Sequence, residues 1–133
     1  MNVALVVAGS ILVAAAAVHG AGGEAWVVSR LATSGLPGSR FGGPRFTKAM
    51  IRASWHIATI GFLAAGGALL VAGSVVHGDV ARGIALAAAC ASTGFAAVVV
   101  GGAVAEGPRS FLRHPAPVLL TAAAAVLAWA GVA

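Results

Sequence analysis

Four histidines and three carboxylates are the side chains of this 133-residue chain best suited to hold a metal ion or move a proton. His19 and Glu24 share one short element, VHGAGGE. Trp55 and His56 lie just past Arg52 in MIRASWHIAT. Glu106 and His114 flank GPRSFLR, and His77 and Asp79 form a separate pair. Imidazole nitrogen and carboxylate oxygen suit first-row transition metals. Two imidazoles from facing helices can also hold a haem iron axially. Without a metal, the same groups suit a proton relay or a site for a quinone-like or other lipid-soluble molecule. No His-x-x-x-His or Glu-x-x-His pair is present, and the single cysteine, Cys90, excludes an internal disulfide and any paired-cysteine metal motif. Any ligand set must therefore be assembled one residue per helix.

These groups sit in a chain that is 60% apolar and 8% charged, with a mean hydropathy of +1.01. A soluble domain carries roughly a quarter charged residues. The composition is that of a polytopic membrane protein, all-α and built as one transmembrane domain over residues 1–133. Four segments approach the ~20 apolar residues that a hydrocarbon core requires, at about 3–21, 48–76, 80–104 and 115–133. The first helix has the composition to continue past Glu24 to Arg30. The apolar start resembles a signal peptide but lacks a basic n-region, so it reads as a retained span.

Lysine and arginine set the orientation. Arg30, Arg40, Arg45, Lys48 and Arg52 fall in or beside the first connection, and Arg109 and Arg113 in the third. The second connection has only Arg82. The positive-inside rule then places the first and third connections in the cytoplasm and both termini outside. The net charge of +5 fits basic loops facing anionic headgroups rather than nucleic acid.

Small residues at 14–17, 66–67, 85–94 and 122–125 favour close helix approach in lipid. An up-down four-helix bundle follows, with the bilayer and either a second copy of the chain or a larger membrane complex as partners. Cys90, in an alanine-rich run, reads as a small space-filling residue. The Gly- and Pro-rich first connection is not a Walker A loop, since no Gly-Lys-Ser/Thr follows its glycines. It reads as a flexible loop with Phe41 and Phe46 at the membrane interface.

At ~1.5 Å of rise per residue, each span delivers an ionisable group to one layer near the cytoplasmic edge. The expected metal ligands are His19, His56, His114, Glu24 and Glu106, around a transition metal ion or haem, with Trp55 and Arg52 beside the cofactor. His56 reads as the deepest member. Arg52 opposes a cation there unless Glu24 or Glu106 neutralises it. Two further readings compete. One is an enzyme or carrier for a lipid-soluble substrate with an anionic head, in which His56 and Glu24 transfer protons and Arg40, Arg45 and Arg52 hold the head. The other is an accessory subunit of a larger membrane complex. The sequence selects no reaction.

HGAGGE at 19–24, RFTKAMIRASWH at 45–56 and RHPAP at 113–117 resemble the conserved elements of a family of small four-span bacterial membrane proteins. That family carries a His-small-x-Gly-Glu element, a Trp-His element and a His-Pro element before its last helix. The resemblance covers nearly the whole chain. It implies a bacterial cytoplasmic membrane location and singles out His19, Gly23, Glu24, Trp55, His56, His114 and Pro115. HGAGGE holds more small residues than the family pattern, and the resemblance implies no activity.

Overall fold

The computed structural model describes residues 1–107, 109 and 115–133. Helix α1 spans Val3–Ala17 and continues, without leaving helical backbone angles, through two π-helical turns, Val18–Gly22 and Glu24–Val28. After the first connection come α2 (Pro44–Ser74), α3 (Gly78–Glu106) and α4 (Pro115–Val132). All four rods, the first taken as Val3–Val28, are long and apolar enough to cross a membrane. Hydrocarbon offers the backbone no hydrogen-bond partner, so each apolar stretch closes its own ladder as helix. The chain is a multi-pass helical bundle.

Each helix packs against its sequence neighbour, and α4 closes back on α1. The core seam of α1 is Leu5, Ala8, Leu12 and Ala16, and that of α2 is Phe62, Ala65, Leu69 and Ala72. Both advance in steps of three and four residues, alternating in α2, the spacing that keeps one helix face on its neighbours. From α3 and α4 the core takes only alanines among its fully buried members. Small residues suffice because helices in lipid gain by close backbone approach rather than by removing bulky side chains from water. The closest approach is between Gly9 and Gly66: a Cβ on Gly9 would lie 2.7 Å from the Gly66 carbonyl oxygen.

Polar side chains inside the spans satisfy themselves locally. The hydroxyls of Ser10, Ser92 and Thr121 donate to carbonyls four residues earlier in their own helices, which removes the penalty of an unpaired hydroxyl in hydrocarbon. Trp129 Nε1 donates to Thr93 Oγ1 across the α3–α4 contact, at 2.9 Å. Cys90 lies exposed on α3 rather than packed inside. Ala85, Ala88, Ala89 and Ser92 are the buried members of that run, and Cys90 is not among them.

Asn2 ties the two chain termini to the same end of the bundle. Its Oδ1 accepts from the Leu5 N–H, its Nδ2 donates to the Gly131 carbonyl, and its backbone N–H donates to the Gly73 carbonyl. One residue thus caps α1 and joins it to α4 and α2. Asn2→Ala loses the cap and the α4 bond together and is expected to cost about 1–2 kcal/mol. Thermal unfolding in detergent reads this loss. A melting point unchanged within error would show that the end frays regardless.

At the other end, the basic end, the first connection is folded rather than loose. Lys48 Nζ donates to the carbonyls of Leu31 (2.7 Å) and Ser29 (3.2 Å) just past the first rod. A cation suits the bare carbonyls of a helix C-terminus. Thr47 Oγ1 donates to the Pro37 carbonyl, and Ser39 and Gly42 bridge each other. Phe41 and Phe46 are both exposed, Phe46 from the first turn of α2.

Candidate functional site

The π-helical stretch Val18–Val28 carries His19, Gly23 and Glu24. A π turn holds an extra residue per hydrogen-bonded ring, so it widens the helix and re-aims the side chains along it. The glycines let the widened stretch touch α2. Gly23 is buried against Trp55, and a Cβ there would overlap the indole at Nε1, Cε2 and Cζ2. The glycines after His19 thus let α1 come close to α2, and Trp55 fills the space at Gly23.

Two groups of side chains result. In the first, the His19 ring stacks on Trp55 with centroids 4.5 Å apart and planes 10° from parallel. Phe62 meets the same ring at right angles, centroids 5.5 Å apart, and Phe62 in turn packs on Phe95 of α3. Trp55 Nε1 donates to the His19 carbonyl at 2.7 Å. His19 Nδ1 lies 2.9 Å from Thr59 Oγ1, whose hydroxyl donates to the Trp55 carbonyl at 3.1 Å. The imidazole is thus fixed by a face, an edge and its own backbone.

In the second group, Glu24 accepts from both nitrogens of the Arg52 fork, Nε at 3.2 Å and Nη2 at 2.7 Å. Its Oε2 also lies 3.3 Å from His56 Nε2. Arg52 and His56 stand one turn apart on α2, so one carboxylate bridges them. Bidentate arginine–carboxylate geometry is the strong form of this contact. The group is only part-enclosed, with Arg52 47% and Glu24 32% exposed. The neutralisation of Arg52 by Glu24, needed for any cation nearby, is present.

His19 meets Trp55, Thr59 and Phe62, whereas His56 meets Glu24 beside Arg52. Counting along the sequence treats α1 as a regular helix and cannot include the re-aiming by the π turns. Phe62 and Phe95, which wall the site, carry no sequence mark beyond core spacing.

Glu106 ends the 29-residue α3, 28 residues on from its start at Gly78. At ~1.5 Å per residue this puts it about 42 Å along its helix, against about 27 Å between Ser74 and His56. It therefore projects past the level of the Glu24 group. His114 lies outside the described residues. Among the described residues, no three of His, Cys, Asp and Glu come together so that they could hold a metal ion. A cation at Glu24 would have to displace the Arg52 guanidinium.

Beside His19 runs an open groove of about 470 Å³, walled by Thr47, Met50, Ile51, Ser54, Trp55 and Ala58 of α2. Ile51, Trp55 and Ala58 continue the α2 seam of Phe62, Ala65, Leu69 and Ala72 in the same alternating steps. Phe62, Ala65, Leu69 and Ala72 are buried, whereas Ile51, Trp55 and Ala58, towards the basic end, are only half-buried. The ion-paired group adjoins this stretch on α2.

No protein-family model, curated protein or solved structure matches the chain.

Proposed function

We propose that this is a multi-pass protein of a bacterial cytoplasmic membrane, with its basic end inside, that binds a lipid-soluble molecule in the groove beside His19 and Trp55. The observation that carries this reading is the open stretch of core seam. A face built with core spacing is left uncovered where a rigidly held imidazole lines it. Ligand sites of bundles lie between helices and combine apolar walls with a few placed polar groups. Glu24, Arg52 and His56 supply a charged, proton-exchanging group on the neighbouring flank. Ionisable residues of a membrane span that pair with one another are a common mark of such sites.

Arg52 is engaged by Glu24, which favours an uncharged polar group over an anionic head at this depth. The test is native mass spectrometry of protein purified in mild detergent, with organic extraction of whatever is bound. About one lipid-soluble molecule per chain is expected, lost in His19→Ala and in Trp55→Ala. A stoichiometric transition metal or haem, lost in His19→Ala and His56→Ala, would replace this reading with a metal centre. Recovery only within a larger assembly that covers the groove would favour an accessory subunit.

A further inference from the structure

The polar hydrogens around the groove are almost all spent inside the protein. Trp55 Nε1–H goes to the His19 carbonyl. The Thr47 hydroxyl donates to the Pro37 carbonyl, which leaves its oxygen as an acceptor only. The Thr59 hydroxyl has one hydrogen, and with that hydrogen on the Trp55 carbonyl its oxygen meets His19 Nδ1 by accepting from it. That chain, Nδ1–H to Oγ1–H to carbonyl, leaves no donor unpaired. The opposite tautomer would leave an imidazole N–H without an acceptor among the described residues, the costlier defect in an apolar setting.

His19 Nε2 is then a bare lone pair. It has no hydrogen-bond partner among the described residues. Nor is it sealed in, because no unpartnered side-chain nitrogen or oxygen of the described residues is buried. Trp55 covers one face of the ring and Phe62 meets it edge-to-face, and the residue lines the groove.

Resting on the reading of the groove as a ligand site, the geometry points to a ligand that donates: a hydrocarbon-soluble molecule whose hydroxyl hydrogen-bonds to His19 Nε2. Quinols and long-chain lipid alcohols share this chemistry. Quinones, ethers and esters lack it, and phosphate or carboxylate anions would face a lone pair. Ser54 is the one hydroxyl of the groove wall whose hydrogen is not committed, and it can accept or donate at a second oxygen of the ligand.

The experiment measures equilibrium binding to the full-length protein in nanodiscs with two matched pairs. One pair is a short-chain benzoquinol, kept reduced, and its dimethyl ether. The other is a C16 alcohol (~16 carbons, about half the bilayer by chain length) and its methyl ether. At least one hydroxyl form is expected to bind about tenfold tighter than its ether, the factor for an acceptor left unpaired. Which pair shows the difference separates a quinol-type ring from a lipid alcohol. His19→Phe keeps an aromatic ring on Trp55 and is expected to bring the ratio to about one. Imidazole ¹⁵N NMR should assign the hydrogen of His19 to Nδ1 in the unliganded wild type. Equal binding of hydroxyl and ether forms, or a hydrogen on Nε2, overturns the inference and leaves the groove standing as a site. Binding of none of the four probes overturns the groove reading, and the inference with it.

Discussion

Gly66→Ala is expected to destabilise the bundle by about 3 kcal/mol, the upper part of the range for overpacking. The added Cβ would lie 2.9 Å from the Gly9 carbonyl oxygen and 3.0 Å from both the backbone nitrogen and the Cγ2 of Val13. Two of these neighbours are backbone atoms of a regular helix and cannot rotate away. The methyl therefore pushes α1 and α2 apart as whole rods, and contacts along the Leu5–Ala16 and Phe62–Ala72 seams loosen together. Gly67→Ala is the control, because a Cβ there meets nothing within 4 Å, and it is expected to be neutral or slightly stabilising through helix propensity. Steric trapping or denaturant titration in detergent reads both. Equal stability of the two variants would mean that the α1–α2 crossing is looser than described.

Gly23→Ala is expected to have the second large effect, and at the site rather than on the scaffold. A methyl group cannot share space with the Trp55 indole, so the ring must leave. Its departure breaks the bond to the His19 carbonyl, unstacks His19 and frees the face of the imidazole. The expected cost is about 2 kcal/mol, with loss of any ligand held beside His19. Trp55→Ala should cost less in the Gly23→Ala background than in the wild type, because the clash has already removed the indole. That coupling, measured by a double-mutant cycle, isolates the contact from general damage. Strict additivity would show that Gly23 and Trp55 act independently, against the packing described.

Much of the architecture was legible from residue types alone. Long apolar runs must be helical where no water is available to the backbone, and four such runs separated by Gly-, Pro- and charge-bearing breaks leave few alternatives to a four-helix bundle. The observed helices, Pro44–Ser74 and Gly78–Glu106, extend a few residues beyond the spans read at 48–76 and 80–104 at their basic ends. Hydropathy finds the hydrocarbon layer, and the helix continues through the interface. Lys48 illustrates the difference. It reads as an orientation signal in the sequence, and in the fold it also caps the carbonyls that end the first rod.

The site was legible in its members more than in its arrangement. His19, Glu24, Arg52, Trp55 and His56 stand out because polar and aromatic groups at the edge of an apolar span need a reason to be there. Spacing could not divide them into two adjoining groups along α2, nor assign Thr59 to His19. Both follow from the π turns, which re-aim α1 between Val18 and Val28. A single hydrogen-bond register chosen by packing against Trp55 leaves no trace in composition.

The sequence by itself determined a membrane-spanning four-helix chain, its breaks, its basic end and the side chains available for chemistry, because those depend on transfer from water and on local backbone needs. Only the tertiary structure decided which partners they take. Glu24 bridges Arg52 and His56, and His19 is locked between Trp55, Thr59 and Phe62 beside the unfilled end of the α2 seam. Those choices depend on how closely two helices approach and on how one of them is wound, distances fixed by contacts between residues far apart in the chain, Gly9 with Gly66 and Gly23 with Trp55.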